Sequence, residues 1–186
     1  MPFAFTPYQL SGLVRIEART MRDERGWFQE TYQRSAFRAA GIGVEFDQDN
    51  VSWSARRGTL RGLHYQLAPS AQGKLVRCVA GRIFDVAVDI RPGSPAYARW
   101  ASIELVADDG ILLWIPPGFA HGFQALVEGS ALAYKTTAEY SPAHERGIRW
   151  DDSRIGVTWP IADPVLSRRD AALPALADAE GDSVAR

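Results

Sequence analysis

An all-β fold, a jelly-roll sandwich or barrel, is predicted by three features of this chain. Apolar and polar residues alternate through most of the sequence, and helical periodicity is confined to two short stretches. The candidate strands are short and regularly spaced. Eleven prolines and sixteen glycines fall largely at the joints between them, where proline removes ladder donors and glycine permits turns. At 186 residues the chain is expected to form one domain over 1–186, large enough to bury on the order of 70% of its unfolded surface.

The elements follow in order. Phe3, Phe5 and Tyr8 are apolar anchors ahead of the first strand. Residues 13–16 and 26–32 read as strands separated by the charged turn 22–25. Residues 35–41 form a short helix, with Ser35 as N-cap and Gly41 just past the end. Residues 48–54 return to an extended pattern, and two strands within 58–81 are joined by a Pro/Ser/Gly loop. The clearest strand is 84–91: Phe84, Val86, Val88 and Ile90 share one face, Asp85, Ala87, Asp89 and Arg91 the other. The run Arg91-Pro-Gly-Ser-Pro95 ends it. Strands at 101–106 and 111–115 flank a turn at Asp108-Asp-Gly110, and Pro116-Pro-Gly118 turns the chain into 119–123. Residues 131–137 make a further strand, 167–173 a short helix, and 177–186 a frayed polar tail.

Charge narrows the function classes. With 21 basic and 22 acidic residues the chain is nearly neutral, so no general attraction to nucleic acid or to an anionic membrane is expected. An anionic ligand must be held by local cations. The single cysteine, Cys78, excludes an internal disulfide framework and reads as a small apolar strand residue. No basic-then-apolar leader opens the sequence, and no stretch approaches the roughly 20 apolar residues of a membrane span. A soluble, cytoplasmic protein is expected.

The stretch from Gly58 to Gly81 sets Arg61, His64 and Lys74 close together. An imidazole near fixed positive charge is what proton transfer on an anionic substrate requires. Its spacing, Gly58-x5-His64-x-Gln66 through Lys74-x6-Gly81, resembles the first cupin motif. Gly110-x5-Pro116-x-Gly118-x2-His121 resembles the second. Metal-binding cupins draw His, His, Glu and His from these positions, whereas this chain offers His64, Gln66, Lys74 and His121. An ammonium in a carboxylate's place repels a divalent ion, so no metal is expected. Lys74 would take over the metal's electrophilic work at an oxyanion.

From about Val14 to Asp170 the chain resembles the dTDP-4-dehydrorhamnose 3,5-epimerase family. The resemblance rests on Asp23-Glu-Arg-Gly-Trp-Phe-Gln-Glu30, Phe46-Asp-Gln-Asp-Asn-Val-Ser52, Leu60-Arg-Gly-Leu-His-Tyr-Gln66, Gly73-Lys-Leu-Val76 and residues 84–91. It continues through Trp114-Ile-Pro-Pro-Gly-Phe-Ala-His-Gly-Phe123, Tyr134-Lys-Thr-Thr137, Trp150-Asp-Asp152 and Trp159-Pro160. It implies a cupin acting without cofactor on a dTDP-4-keto-6-deoxyhexose. It also implies a homodimer whose N-terminal segment contributes to the partner's sheet and site.

In a 4-keto sugar, C3 and C5 flank the carbonyl, and loss of either proton leaves an enolate with its charge on O4. Inversion needs a base on one face, a proton donor on the other and a cation near O4. His64 suits the base, and Lys74 the cation, with Arg61 beside it. The resemblance assigns Tyr134 as donor and Asp170 as the carboxylate behind His64. Ser167-x-x-Asp170 also reads as a capping box, a purely local helix start, and Asp85 is the alternative partner of His64. The resemblance further assigns substrate contacts to Arg25, Glu30, Gln48, Asn50, Arg61, Lys74, His121 and Glu145, with Tyr140 stacking on thymine and Phe28 closing the other side. His144 reads as a surface residue. Three other readings stay open: a 3-epimerase or 5-epimerase for another deoxysugar, a metal-dependent cupin, and a non-catalytic sugar-binding cupin.

Overall fold

The computed structural model describes residues 2–179. Thirteen strands and two short helices follow one another as β1 (Phe3–Pro7), β2 (Val14–Ala18), β3 (Thr20–Asp23), β4 (Gly26–Gln29), α1 (Arg34–Ala39), β5 (Gln48–Ser54), β6 (Leu60–Gln66), β7 (Lys74–Ala80), β8 (Arg82–Asp89), β9 (Trp100–Val106), β10 (Ile111–Ile115), β11 (Phe119–Ala125), β12 (Ser130–Thr136), β13 (Glu145–Gly147) and α2 (Arg168–Ala171). They form a six-stranded sheet, β1-β2-β10-β7-β12-β5, a five-stranded sheet, β13-β6-β11-β8-β9, and a separate β3–β4 hairpin. The named strands all pair antiparallel.

The two large sheets pack face to face. Val76, Leu113, Ile115 and Leu132 from one interdigitate with Ile83, Ile103, Leu105, Phe119 and Phe123 from the other. The outer faces are covered as well. Phe37 of α1 and Ile42 seal Phe3, Ile16, Leu75 and Trp114 on the six-stranded side. Ile148, Ile155, Trp159 and Leu176 seal Val86, Val88 and Ile90 on the five-stranded side. Both faces of β8 are therefore buried. That includes the polar face carrying Asp85, which from the sequence has a solvent-facing alternative.

Several expectations need correction. Ser35 is not the N-cap of α1: Gln33 holds that position with no side-chain cap, and Ser35 lies inside the first turn. The strand expected over 26–32 stops at Gln29 and pairs with β3, so the charged turn is the tip of a two-stranded hairpin. Phe3 and Phe5 do not precede the first strand but lie in it. Their strand pairs with β2 of the same chain, and their rings meet Phe37 at 5.3 and 5.2 Å. Residues 178–179 form a turn bonded back to Ala175, and the rest of the expected tail lies outside the described residues. Three strands, β1, β3 and β13, have no counterpart among the strands expected from the sequence.

Edge strand β9 is covered by side chains of the N-terminal segment. Tyr8 donates its hydroxyl to the Ser102 carbonyl at 2.7 Å, and the Gln9 amide exchanges bonds with Ser102 N–H and C=O, both at 3.3 Å. An amide side chain thus stands in for a neighbouring strand on an otherwise open edge.

Candidate active site

A cavity of about 230 Å³ opens between the sheets, lined by Arg61, His64, Lys74, His121, Tyr134 and Asp170 among others. Three roomier hollows, of about 330, 430 and 300 Å³, also carry charged side chains, but none of them is lined by a histidine or by Lys74. The cavity owes its walls to strand register. His64 on β6 stands opposite His121 on β11, and the two strands close tightly there because Gly62 faces Gly122. A Cβ at Gly62 would sit 2.5 Å from the Gly122 Cα. His64 comes from the five-stranded sheet, whereas Lys74 and Tyr134, on β7 and β12, come from the six-stranded one. Imidazole and phenol therefore approach from opposing walls.

His64 Nε2 is bonded to Asp170 Oδ1 at 2.7 Å. A carboxylate only accepts, so Nε2 carries the hydrogen and Nδ1 is left with a lone pair. Burial alone would raise the Asp170 carboxyl, but the hydrogen bond from His64, with help from Ser167 and Arg169, holds it below the ordinary value. The helix cap does not compete for this group. Ser167 Oγ accepts from the Asp170 backbone N–H at 3.0 Å, so α2 is capped through main chain while the carboxylate stays with His64. Asp85, the other candidate partner, is bonded to His121 Nε2 at 2.8 Å.

Lys74 is buried, with one hydrogen bond, from Nζ to the His64 carbonyl at 3.4 Å. Burial pushes the ammonium down to about 8, against the opposing pull of Asp85 and Glu145. Tyr134 moves the other way. Burial raises its phenol, Arg61 partly offsets this, and Glu145 adds to it, so the hydroxyl keeps its proton at neutral pH. Arg61 donates to the Trp53 carbonyl at 3.0 Å, and its buried Nε has no partner among the described residues.

On β5, which pairs with the Tyr134 strand, Gln48 donates to Asn50 at 2.7 Å and accepts from the Tyr140 backbone N–H at 2.8 Å. The Tyr140 hydroxyl donates to Glu145, which also pairs with Arg169 at 2.6 Å. Burial alone would raise the Glu145 carboxyl, and Tyr140 and Arg169 together hold it below the ordinary value. Arg169 is a residue that sequence reasoning missed. The only signal was its place beside Asp170, and a basic pair at a helix start more often faces solvent. Arg25, Phe28 and Glu30 are not brought into this cavity. Arg25 and Phe28 line a separate hollow on the β3–β4 hairpin. There the Arg25 side chain pairs with Asp23 and is 83% exposed. His144 is half-buried rather than a free surface group, with its Nδ1 2.7 Å from Ser141 Oγ and 3.3 Å from Ser70 Oγ.

The residues at the cupin metal positions do not fit a divalent ion. Gln66 spends its amide on the loop, donating to Ser70 and Glu139 carbonyls at 2.6 and 3.2 Å and accepting from Ser141 N–H at 2.8 Å. Lys74 brings a positive charge where an anionic ligand would be needed.

Fold and site together define a cupin whose pocket gathers an imidazole, a phenol and a buried ammonium. The family model described as dTDP-4-dehydrorhamnose 3,5-epimerase matches residues 7–178. The Sinorhizobium fredii protein of that description is 47% identical over 175 residues, covering 94% of this chain and 90% of the relative. A crystal structure of the Legionella pneumophila epimerase in complex with dTDP-4-keto-L-rhamnose superposes with a TM-score of 0.93 at 40% identity, covering 99% of this chain and 100% of the other. ChmJ, a 3'-monoepimerase from Streptomyces bikiniensis solved with dTDP-quinovose, superposes with a TM-score of 0.85 at 35% identity, covering 92% of this chain and 88% of the other. This chain belongs to the dTDP-4-dehydrorhamnose 3,5-epimerase family and is an isomerase.

Proposed function

We propose that the protein inverts C3 and C5 of dTDP-4-dehydro-6-deoxy-D-glucose, giving dTDP-4-dehydro-L-rhamnose without metal or redox cofactor. His64 Nδ1 takes the proton from the carbon beside the carbonyl, and the C–H electron pair passes into an enolate with its charge on O4. The Lys74 ammonium, with Arg61 beside it, stabilises that charge. The Tyr134 hydroxyl returns a proton to the opposite face. Asp170 fixes the His64 tautomer and stabilises the imidazolium that forms. One observation carries the reading: base and phenol stand on opposing sheets with a buried ammonium in the same cavity.

Outside the pocket, Gln48, Asn50, Tyr140 and Glu145 would receive the nucleotide, with His121 on the sugar. We further propose that the active form is a homodimer in which the hairpin bearing Arg25, Phe28 and Glu30 reaches the partner's cavity. The support is the hairpin itself, which pairs with neither large sheet and exposes Trp27 and Phe28.

Turnover in D₂O tests the double inversion, with deuterium at C3 and at C5 read by NMR. Incorporation at both carbons is expected. Incorporation at one alone would replace this reading with a mono-epimerase, which the likeness to ChmJ keeps as the rival. His64→Asn should abolish exchange at both positions, an outcome that a non-catalytic sugar-binding cupin does not predict.

A further inference from the structure

We propose that Asp85 is a positioning residue of this pocket, its sealed carboxylate fixing the tautomer of His121 and holding the Lys74 ammonium charged. The inference rests on the reading of Lys74 as the group that meets the enolate oxygen. Asp85 sits within β8 with no exposed surface. One oxygen accepts from His121 Nε2 at 2.8 Å, and the other has no hydrogen-bond partner among the described residues. A buried carboxylate oxygen without a donor is costly, so its retention calls for a compensating charge. Lys74 supplies one. Lys74 lines the same cavity as His121, to which Asp85 is bonded, and Asp85 and then Glu145 pull its ammonium up against burial.

Two consequences follow for the cavity wall. Because a carboxylate only accepts, His121 must carry its hydrogen on Nε2. Burial pushes this imidazole down, and Lys74 and His64 add to that against the pull of Asp85, so it stays neutral. Nδ1 is then a lone pair, an acceptor fit for a sugar hydroxyl. Asp85 thus makes an acceptor of His121 while keeping Lys74 a donor. The other charged and titratable groups of the pocket are Arg61 and His64 from β6, Tyr134 from β12, Glu145 from β13 and Asp170 from α2. None of them is bonded to the free oxygen of Asp85.

The chain makes a direct test possible, because only two of its 21 basic residues are lysines, Lys74 and Lys135. With Lys135→Arg as background, ¹³C-labelled lysine gives a single resonance, and its pH titration reports Lys74 alone. Asp85→Asn keeps the shape and the acceptor for His121 but removes the charge. The Lys74 midpoint should fall by about one pH unit or more, and the alkaline limb of kcat/KM should move with it. An unmoved midpoint overturns the proposal whatever happens to the rate. A midpoint that falls while the rate profile stays put upholds Asp85 and overturns the catalytic reading of Lys74 instead. Should the variant not fold, ¹⁵N-histidine spectra of the unaltered protein decide, with His144→Gln aiding assignment. Unprotonated Nδ1 on His121 is expected, and a protonated Nδ1 with bare Nε2 sinks the idea.

Discussion

At the scale of single residues, Lys74 ties activity and stability to pH with opposite signs. Its ammonium is held down to about 8 by burial, while an unfolded chain keeps the proton to about 10.4. Below pH 8 both states are charged and the fold bears the whole cost of burying the cation. Between these values only the unfolded chain stays protonated, so this group's contribution to stability rises with pH. Turnover should do the reverse, falling above about pH 8 as the oxyanion loses its partner. Urea unfolding of the wild type and Lys74→Met at pH 7 and 9.5 checks the sign, the wild type gaining roughly 2 kcal/mol on the variant. Asp170→Asn probes the neighbouring group. Without the carboxylate, His64 loses its imposed tautomer, and kcat should fall about 10²- to 10⁴-fold in steady-state assays while the fold is kept. His64, Lys74 and His121 could be read from spacing, because Gly58-x5-His64, Lys74-x6-Gly81 and Gly118-x2-His121 are local, whereas Asp170 rests on the family resemblance. Which carboxylate meets which imidazole could not be read. Asp85 and Asp170 are each far in sequence from the histidine they bind: the register of β8 on β11 brings Asp85 to His121, and the packing of α2 on β6 brings Asp170 to His64.

At the scale of elements, alternation made most strands legible because their two faces meet different surroundings. The failures have local causes. β13 is three residues long and exists because it pairs with β6, Gly147 lying opposite His64 with no room for a Cβ against Leu173. The strand expected to run to residue 32 stops at Gln29, and Tyr32 turns onto Phe37 and Phe46 at 4.9 and 5.2 Å. In β8 the polar face is as buried as the apolar one, and alternation cannot tell a lined cavity from solvent. The tightest joint is β6 against β11, where Gly62 adopts a φ of +119° and its missing side chain leaves room for Gly122. Gly62→Ala meets both strain and backbone, so a loss of about 3 kcal/mol or more is expected in urea unfolding. Activity should fall beyond what the residual folded fraction explains, since the same joint sets His64 opposite His121.

At the scale of the whole molecule, one described chain gathers the His64 imidazole, the Tyr134 phenol and both cations of the cavity, yet leaves three of the residues attributed to substrate binding elsewhere. Arg25 and Phe28 lie on a hairpin paired only with itself, Glu30 follows directly behind, and Trp27 and Phe28 are 44% and 63% exposed. On the outer face of edge strand β5, Val51 and Trp53 are likewise 71% and 62% exposed. Apolar surface of this extent on two separate features is what a symmetric self-contact would cover. If the hairpin completes a second copy's pocket, the site is shared, and shared sites can be complemented. His64→Asn destroys the pocket but spares the hairpin, whereas Arg25→Ala with Glu30→Ala does the converse. Each variant alone should be nearly inactive. Denatured together in equal amounts and refolded, they should form mixed dimers in which one pocket has both parts intact, restoring about a quarter of wild-type turnover. Sites built within a single chain would restore none, because no protomer in the mixture carries a complete set, and the hairpin residues would then have to act on their own chain's cavity or not at all.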